Sequence, residues 1–597
     1  MAGMKLGAIA VDYDGTIATH GVMHPDMRAA IGAARDAGIA VILATGRRLD
    51  DLRQVAGDLG CFDVIVAENG AVLDFPLRGR HVVLGHPPAP AFVEELRRRG
   101  LFVAVGESIV EAAADASGTI IEVIHALQQP LVLSFNRGRV MVLPQAVGKS
   151  TGLRAALTTL RISIHNTVAI GDAENDHDLL DACEVGVAVG WGSAVLAGMA
   201  DEVIHGAGPA AVAEYIREIA RRGEITGAQM GRRHIALGRQ HDGKVVSLAV
   251  RGRPVLIAGE PGSGKSWLAG LMCEQLILQG YSLCVIDPEG DYASLEALPG
   301  VIVLGGDDPP PVARELARAL RYPDVSVVID LSKVRHREKL QYLDTVMDLL
   351  LRLRRQTGLP HRIVVDEAHY LLAGSAHRAL TAADLSGTTL ITYRVSTFAD
   401  KLPLLDSAVI LVTQETDSQE IASLRGLDRK SATPFSASLI RDLQANEAAI
   451  LPGVEESGGS VTRFEVGPRL TTHVRHRTKY LDMPVSEPQA FVFSAGGRPV
   501  ARAQTLKEFV GLLAVLNSGG YVISVFVGGI AADRWGRRRL LLAGTATLAL
   551  SVTAFALAPS WPLALAASAL VGVGSGLVDG PINPLITEHS GGQRGVD

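Results

Sequence analysis

One octapeptide constrains this chain more than any other feature. The apolar run Val255–Ala258 enters Gly259-Glu260-Pro261-Gly262-Ser263-Gly264-Lys265-Ser266, and a helical pattern follows at once. Glycines at these spacings let backbone N–H groups wrap a phosphate at a helix N-terminus. Lys265 is then placed to reach the β- and γ-phosphates of a nucleotide, and the Ser266 hydroxyl to bind Mg2+. Strand, loop and helix in that order require a parallel α/β sheet around them. Short β-branched runs supply it at Leu283–Ile286, Ser326–Ile329, Arg362–Val365, Thr389–Thr392 and Val409–Val412. The run Ile363–Val365 ends in Asp366-Glu367. Asp366 is suited to the Mg2+ shell and Glu367 to polarising an attacking water, a pairing that points to ATP hydrolysis rather than binding alone.

A second phosphate chemistry precedes it. The run Leu6–Val11 leads into Asp12-Tyr13-Asp14-Gly15-Thr16. Residues two apart in an extended segment point the same way, so Asp12 and Asp14 can face one crevice beyond a strand's carboxyl end. Two adjacent carboxylates call for a cation or a shared proton. Three further pieces arrive in order: Thr45-Gly46-Arg47 after Ile39–Ala44, Lys149 in Gly148–Leu153, and Gly171-Asp172-Ala173-Glu174-Asn175-Asp176 after Thr167–Ile170. The alternation of short apolar runs with Ala-rich helical stretches predicts an open parallel sheet. It is interrupted over about residues 80–144 by an inserted unit with a helix at Ala91–Arg99 and a hairpin, Leu131–Phe135 with Val140–Leu143.

This ordered set resembles the four motifs of the haloacid dehalogenase phosphatases, over about residues 4–220. Glu68-Asn69-Gly70-Ala71, and Val185–Gly190 before Ala200-Asp201-Glu202-Val203, look like the Cof-type subgroup. The resemblance implies a Rossmann-like core with an α+β cap over residues 80–144 and a small phosphorylated substrate. It implies Asp12 as nucleophile and Asp14 as general acid and then base, with Thr45 and Lys149 on the phosphoryl oxygens. Mg2+ would be bound by Asp12, Asp14 through its backbone carbonyl, and Asp172, with Asp176 in support.

In the second unit, Asp287-Pro288-Glu289-Gly290-Asp291-Tyr292, Thr392-Tyr393-Arg394-Val395-Ser396 and Arg469–His476 resemble the HerA/FtsK-type ATPases over about residues 234–483. That likeness implies ATP at Gly259, Gly262, Ser263, Gly264, Lys265, Ser266 and Asp366. It also implies a homo-hexameric ring with an arginine supplied by a neighbour, for which Arg394, Arg425 and Arg429 are candidates. DNA translocation is the family's motor activity. Here Tyr393 and Val395 depart from its usual Gln and Pro, and there is no room for its N-terminal barrel. No nucleic-acid-reading motif is present, so ATP hydrolysis is the firmer expectation.

After Asn517 the chain changes character. The mean hydropathy of the whole is +0.24, and residues 517–586 carry much of it. Leu540–Ala558 and Pro562–Val578 are charge-free runs of bilayer-spanning length, and Asp533–Arg539 forms a basic island read as a cytoplasmic-side loop. Gly529–Arg538 resembles a loop motif of major facilitator transporters; membrane contact through 517–586 is the expectation, with too few helices for a transporter. The four cysteines lack metal-ligand spacing and suit a reducing cytoplasm. A net charge of −6 announces neither a nucleic-acid coat nor an acidic tail.

The expected organisation is a phosphatase at 1–222, an ATPase at 223–483, a linker and helix at 484–516, and a membrane-like helical segment at 517–597. The expected function is a Mg2+-dependent phosphatase fused to an ATPase. Two alternatives are a DNA motor with an accessory phosphatase, and a phosphatase switched by ATP.

Overall fold

The computed structural model describes residues 3–136, 138–226, 232–250, 252–373, 381–427, 435–451, 461–472, 491–495, 498–503, 517–525, 537–557, 563 and 566–578. The chain divides into two compact units, Met1–Val474 and Arg475–Asp597.

Within the first unit, the amino-terminal half is built on an eight-stranded sheet. In spatial order its strands are Glu202–Ile204, Val185–Val189, Thr167–Gly171, Ala8–Val11, Ala40–Ala44, Val64–Ala67, Val72–Phe75 and Arg80–Val83. The first six run parallel and the last two antiparallel. Both faces are covered by helices, which is why these strands read as continuous apolar runs. The inserted unit begins after Val83, later than the sequence suggests, because Arg80–Val83 pairs with Val72–Phe75 as the edge of the core sheet. The insert has its own sheet, Leu131–Asn136, Arg139–Pro144, Val110–Ala113 and Ala104–Val105, and its own apolar core around Phe92, Leu96 and Ile120.

The second half carries an eleven-stranded sheet. Seven parallel strands run in the order Val409–Val412, Val255–Ala258, Thr388–Thr392, Arg362–Val365, Leu283–Asp287, Ser326–Asp330 and Val301–Gly305. Four antiparallel strands extend it: Glu447–Ile450, Thr462–Val466, His234–Arg239 and Val245–Ala249. The sequence reading misses these four and Val301–Gly305. Val245–Ala249 and Val301–Gly305 are the two edges of the sheet, and Glu447–Ile450, Thr462–Val466 and His234–Arg239 carry charged or titratable residues in or at the ends of short apolar stretches.

The two halves meet through the amino-terminal ends of their strands. His165 and Glu184, just before Thr167 and Val185, face Gln279 and Tyr281, just before Leu283. The His165 ring stacks on Tyr281 at 3.7 Å. Its Nδ1 lies 2.8 Å from Glu184 Oε2 and its Nε2 2.9 Å from the Gln279 carbonyl. The Tyr281 hydroxyl donates to the same Glu184 oxygen at 2.8 Å. Lys5 Nζ donates to the Gln356 carbonyl, and Arg161 lies over the Tyr322 ring.

In the second unit, Phe491–Ala495 and Arg498–Ala503 form a hairpin. Arg537–Ala556 is a helix, of which Arg539–Ala556 is long and apolar enough to cross a membrane. Arg537, Arg538 and Arg539 open this helix and do not belong to the preceding loop, a correction to the sequence reading. Ala566–Val578 is a shorter apolar helix. A Cβ on Gly572 would fall 1.9 Å from the Asn517 carbonyl oxygen, and one on Gly576 2.6 Å from that of Tyr521. Such backbone proximity is the usual reason for small residues in apolar helix packing. Residues 504–516, the part of the 484–516 segment in which its helix is expected to open, lie outside the described residues.

Candidate active sites

In the amino-terminal half the sheet delivers Asp12, Thr45 and Asp172 to its carboxyl edge from three neighbouring strands. Lys149 opens the helix Lys149–Leu160 and is fully buried. Its Nζ bridges Asp12 Oδ1 at 2.5 Å and Asp176 Oδ1 at 2.6 Å. The other Asp176 oxygen accepts the N–H groups of Asp172 and Ala173, both at 3.0 Å, which fixes the loop carrying Asp172. Asp12, Asp172 and Asp176 bring one carboxylate oxygen each to within 4.8 Å of one another. Burial and then the charge of Asp176 push the Asp12 carboxyl well above the usual carboxylate range, with Lys149 pulling the other way. Burial opposes the charge on Lys149, but Asp12 and Asp176 outweigh it and raise its pKa.

Asp14 turns away from this cluster. Arg47 grips it with two hydrogen bonds, Nε to Oδ2 at 2.5 Å and Nη2 to Oδ1 at 2.8 Å, and reaches Asp51 at 2.7 Å. The acidic cluster is therefore Asp12, Asp172 and Asp176, and the Asp14 carboxylate stands outside it. The Lys149 ammonium is held between the carboxylates of Asp12 and Asp176.

Above lies a cavity of ≈ 370 Å³ lined by Asp12, Asp14, Thr45 and Arg47 from the core and by Glu111, Asn136 and Arg139 from the insert. Arg139 Nε and Glu111 Oε1 form an ion pair at 2.5 Å. Glu68 holds the insert in place: its two oxygens accept the N–H groups of Glu107 at 2.9 Å and Ser108 at 2.8 Å. Burial raises the Glu68 carboxyl above its usual range.

In the second half, Gly259, Gly262 and Gly264 have φ of +152°, +83° and +100°, conformations open to glycine. Gly264 leads into the helix Lys265–Leu278. Lys265 Nζ donates to the Glu260 carbonyl at 2.8 Å, folding the loop on itself. Ser263 Oγ lies 2.6 Å from Thr413 Oγ1, and Ser266 Oγ donates to Asp291 Oδ2 at 3.1 Å. Asp287 accepts four backbone N–H groups from Glu289 to Tyr292. Burial, and then the charge of Asp366, push it up to about 8. Asp366 and Glu367 follow the strand Arg362–Val365 at the same edge, and Glu367 sits at φ +49°. His369 Nδ1 is 3.4 Å from Glu367 Oε2 and 3.4 Å from Thr392 Oγ1, with Tyr393 packed edge-on against its ring. Arg394 lies over the Tyr393 ring, and Arg425 donates to the Phe435 carbonyl. Arg429 lies outside the described residues.

Comparison with known proteins follows this division. Residues 9–83 and 104–216 match the profile of the haloacid dehalogenase-like hydrolases, 245–371 that of the helicase HerA central domain, and 498–596 that of the Major Facilitator Superfamily. A phosphoglycolate phosphatase of Methanothermobacter thermautotrophicus is 32% identical over 219 residues, which cover 35% of this chain and 97% of that protein. One of Archaeoglobus fulgidus is 31% identical over 31% of this chain and 84% of its own length. The amino-terminal part of this chain belongs to the haloacid dehalogenase-like hydrolases. Among solved structures, a phosphatase of that superfamily from Bacteroides thetaiotaomicron is 20% identical, covering 37% of this chain and 96% of its own, with a TM-score of 0.31.

The chain is thus a hydrolase of phosphate monoesters joined to a HerA-type ATPase domain. Sequence reasoning overlooked, in the haloacid dehalogenase-like half, the Arg47 grip on Asp14 and the insert residues Glu111, Asn136 and Arg139. No motif flags the latter, since the insert's strands carry them by pleat position alone. In the HerA-type half it overlooked Thr413 and His369. Thr413 ends a strand beside the phosphate-binding loop, and that adjacency was the available signal.

Proposed function

We propose that the haloacid dehalogenase-like half is a Mg2+-dependent phosphatase working through an aspartyl-phosphate on Asp12. The carrying observation is the cluster of Asp12, Asp172 and Asp176, two of them paired with the Lys149 ammonium, with Asp12 open to a cavity that the insert helps to line. Three carboxylates against one lysine leave an excess of negative charge, and an all-oxygen donor set suits a hard divalent ion. Asp12 and Asp172 would hold Mg2+ with the Asp14 carbonyl, and Asp176 would brace them. When bound, the ion supplies charge that offsets carboxylate–phosphate repulsion.

The rest of the chemistry belongs to the chain. Lys149 orients Asp12 for attack on phosphorus, the ester P–O bond breaks, and Asp14 gives its proton to the leaving oxygen. Asp14 then takes a proton from water, which attacks phosphorus and releases phosphate and Asp12. To do so Asp14 has to leave Arg47, and an anionic substrate entering the cavity competes for that guanidinium. Arg47 and Arg139 beside the nucleophile favour a small phosphorylated carboxylic acid, in keeping with the relatives named phosphoglycolate phosphatase.

The second half hydrolyses ATP in this reading, with Gly259, Gly262, Ser263, Gly264, Lys265 and Ser266 on the phosphates, Asp366 at Mg2+, Glu367 on the water and Arg394 near the nucleotide. We take the two as residues 1–222 and 223–483, facing the cytoplasm, with membrane contact through 517–586. The test is a screen of phosphorylated metabolites with wild type, Asp12→Asn and Glu367→Gln. Asp12→Asn is expected to lose phosphate release and keep ATP turnover, and Glu367→Gln the converse. Full phosphatase activity in Asp12→Asn would overturn the assignment.

A further inference from the structure

Both catalytic clusters sit at the carboxyl edges of their sheets, and the two halves join by the opposite edges. At that junction lies a cavity of ≈ 700 Å³, nearly twice the ≈ 370 Å³ of the phosphatase cavity. Pockets of this size hold nucleotide-sized ligands. Its walls come from both halves: Lys5 and Arg222 from the phosphatase, and Arg354, Arg355 and Arg362 from the ATPase. Against these five cations stand the carboxylates of Glu224 and Asp384.

The cations are held at a cost that an anion would offset. Arg362 is buried, and its guanidinium donates to Thr389 Oγ1 at 3.3 Å and to the Arg253 carbonyl. Arg354 donates to the Gly387 and Asp384 carbonyls at 3.1 and 2.8 Å. Burial pushes both guanidiniums down to about 10, and Arg362 and Arg355 add repulsion at Arg354. A guanidinium keeps its proton in proteins, so this cost is not relieved by deprotonation. Backbone is drawn close at the same place: a Cβ on Gly387 would lie 3.1 Å from Arg354 Nη1.

We propose that this junction cavity binds a small, multiply charged phosphate compound of nucleotide size, at a site separate from both catalytic edges. The inference is independent of the catalytic roles given above. Its position gives it a line to both activities. Arg362 opens the strand that leads into Asp366, Gly387 precedes the strand that ends at Thr392, and Lys5 precedes the strand that leads into Asp12. Bound phosphate would bridge cations of the two halves.

The test uses the full chain carrying Lys265→Ala, so that the phosphate-binding loop is disabled, titrated calorimetrically with sodium tripolyphosphate and separately with ATP. Arg222 and Arg355 are exposed, so Arg222→Ala/Arg355→Ala tests the cavity with little risk to folding, which a thermal melt verifies. Binding is expected to weaken at least 10-fold in this variant and to be unaffected by Asp12→Asn. Tighter binding of ATP than of tripolyphosphate would identify a nucleotide; equal affinity would identify a ligand read through its phosphates, and either supports the site. Absence of binding, or binding indifferent to the two arginines, would overturn it. So would dependence on these arginines for a DNA oligonucleotide alone.

Discussion

Asp12 owes its usable geometry to a buried ammonium. Lys149 stands between Asp12 and Asp176 with no exposed surface, so removing it leaves two carboxylates facing each other in a dry site. Breaking a buried pair from one side costs about 3–5 kcal/mol, because the stranded charge remains. Lys149→Met is therefore expected to lower stability by about that amount in urea titration and to abolish phosphate release. Adding Asp12→Asn to it should recover part of the loss, since one stranded charge is removed. A Lys149→Met protein as stable as wild type would show that the ammonium does not balance these acids. Arg47 acts on a different quantity. Arg47→Ala frees Asp14 but removes a cation from the cavity, so a raised KM for a phosphorylated carboxylic acid is expected, with a smaller change for an uncharged aryl leaving group. An equal KM for both substrates in steady-state assays would count against an anionic substrate.

Among the elements, two connections hold what the strands deliver. The insert is latched by Glu68, whose carboxylate caps the Glu107 and Ser108 amides. Glu68→Ala should strip protection from those two amides in hydrogen exchange while leaving the core strands slow; unchanged exchange there would argue that the insert is held by its other contacts. On the ATPase side, the buried Glu274 of the loop-bearing helix takes hydrogen bonds from Arg469, Leu470 and Thr471, tying a distant segment to that helix. Burial works against its charge, but the donors from Thr471 and Arg469 win and lower its pKa from the usual 4.5. A depressed carboxyl stabilises the fold above its unfolded value and loses that contribution as pH falls through the folded one. Glu274→Gln should thus flatten the acid limb of the stability profile below about pH 4.5, read from urea midpoints; an unchanged limb would place acid sensitivity elsewhere. The strands that carry the motifs were legible as apolar runs, and so were the motifs at their carboxyl ends, because each motif is local. Glu68 was legible only as part of a motif. Its partners lie about 40 residues on, in a loop with no signature.

For the whole molecule, the informative contacts are at the edges no motif marks. His165, Glu184 and Tyr281 sit in short turns before strands, and nothing in their local sequence separates them from surface residues. They are nonetheless buried, at 1%, 1% and 2% exposure. Docking by amino-terminal edges turns the two catalytic edges away from each other, so neither site can pass a product directly to the other. Any coupling has to travel through the junction, which makes its integrity measurable. Glu184 Oε2 is served by both His165 and Tyr281, and His361 packs edge-on against both rings. Removing one donor from a buried carboxylate costs about 1–3 kcal/mol, and here the loss falls on the contact between halves while each half keeps its own core. Wild type is expected to lose phosphatase and ATPase activity in a single heating step. His165→Ala should separate them into two, with the loss of docking preceding the loss of either fold. If the two activities still vanish together in His165→Ala, at a temperature within error of wild type, the ring and its carboxylate do not join the halves.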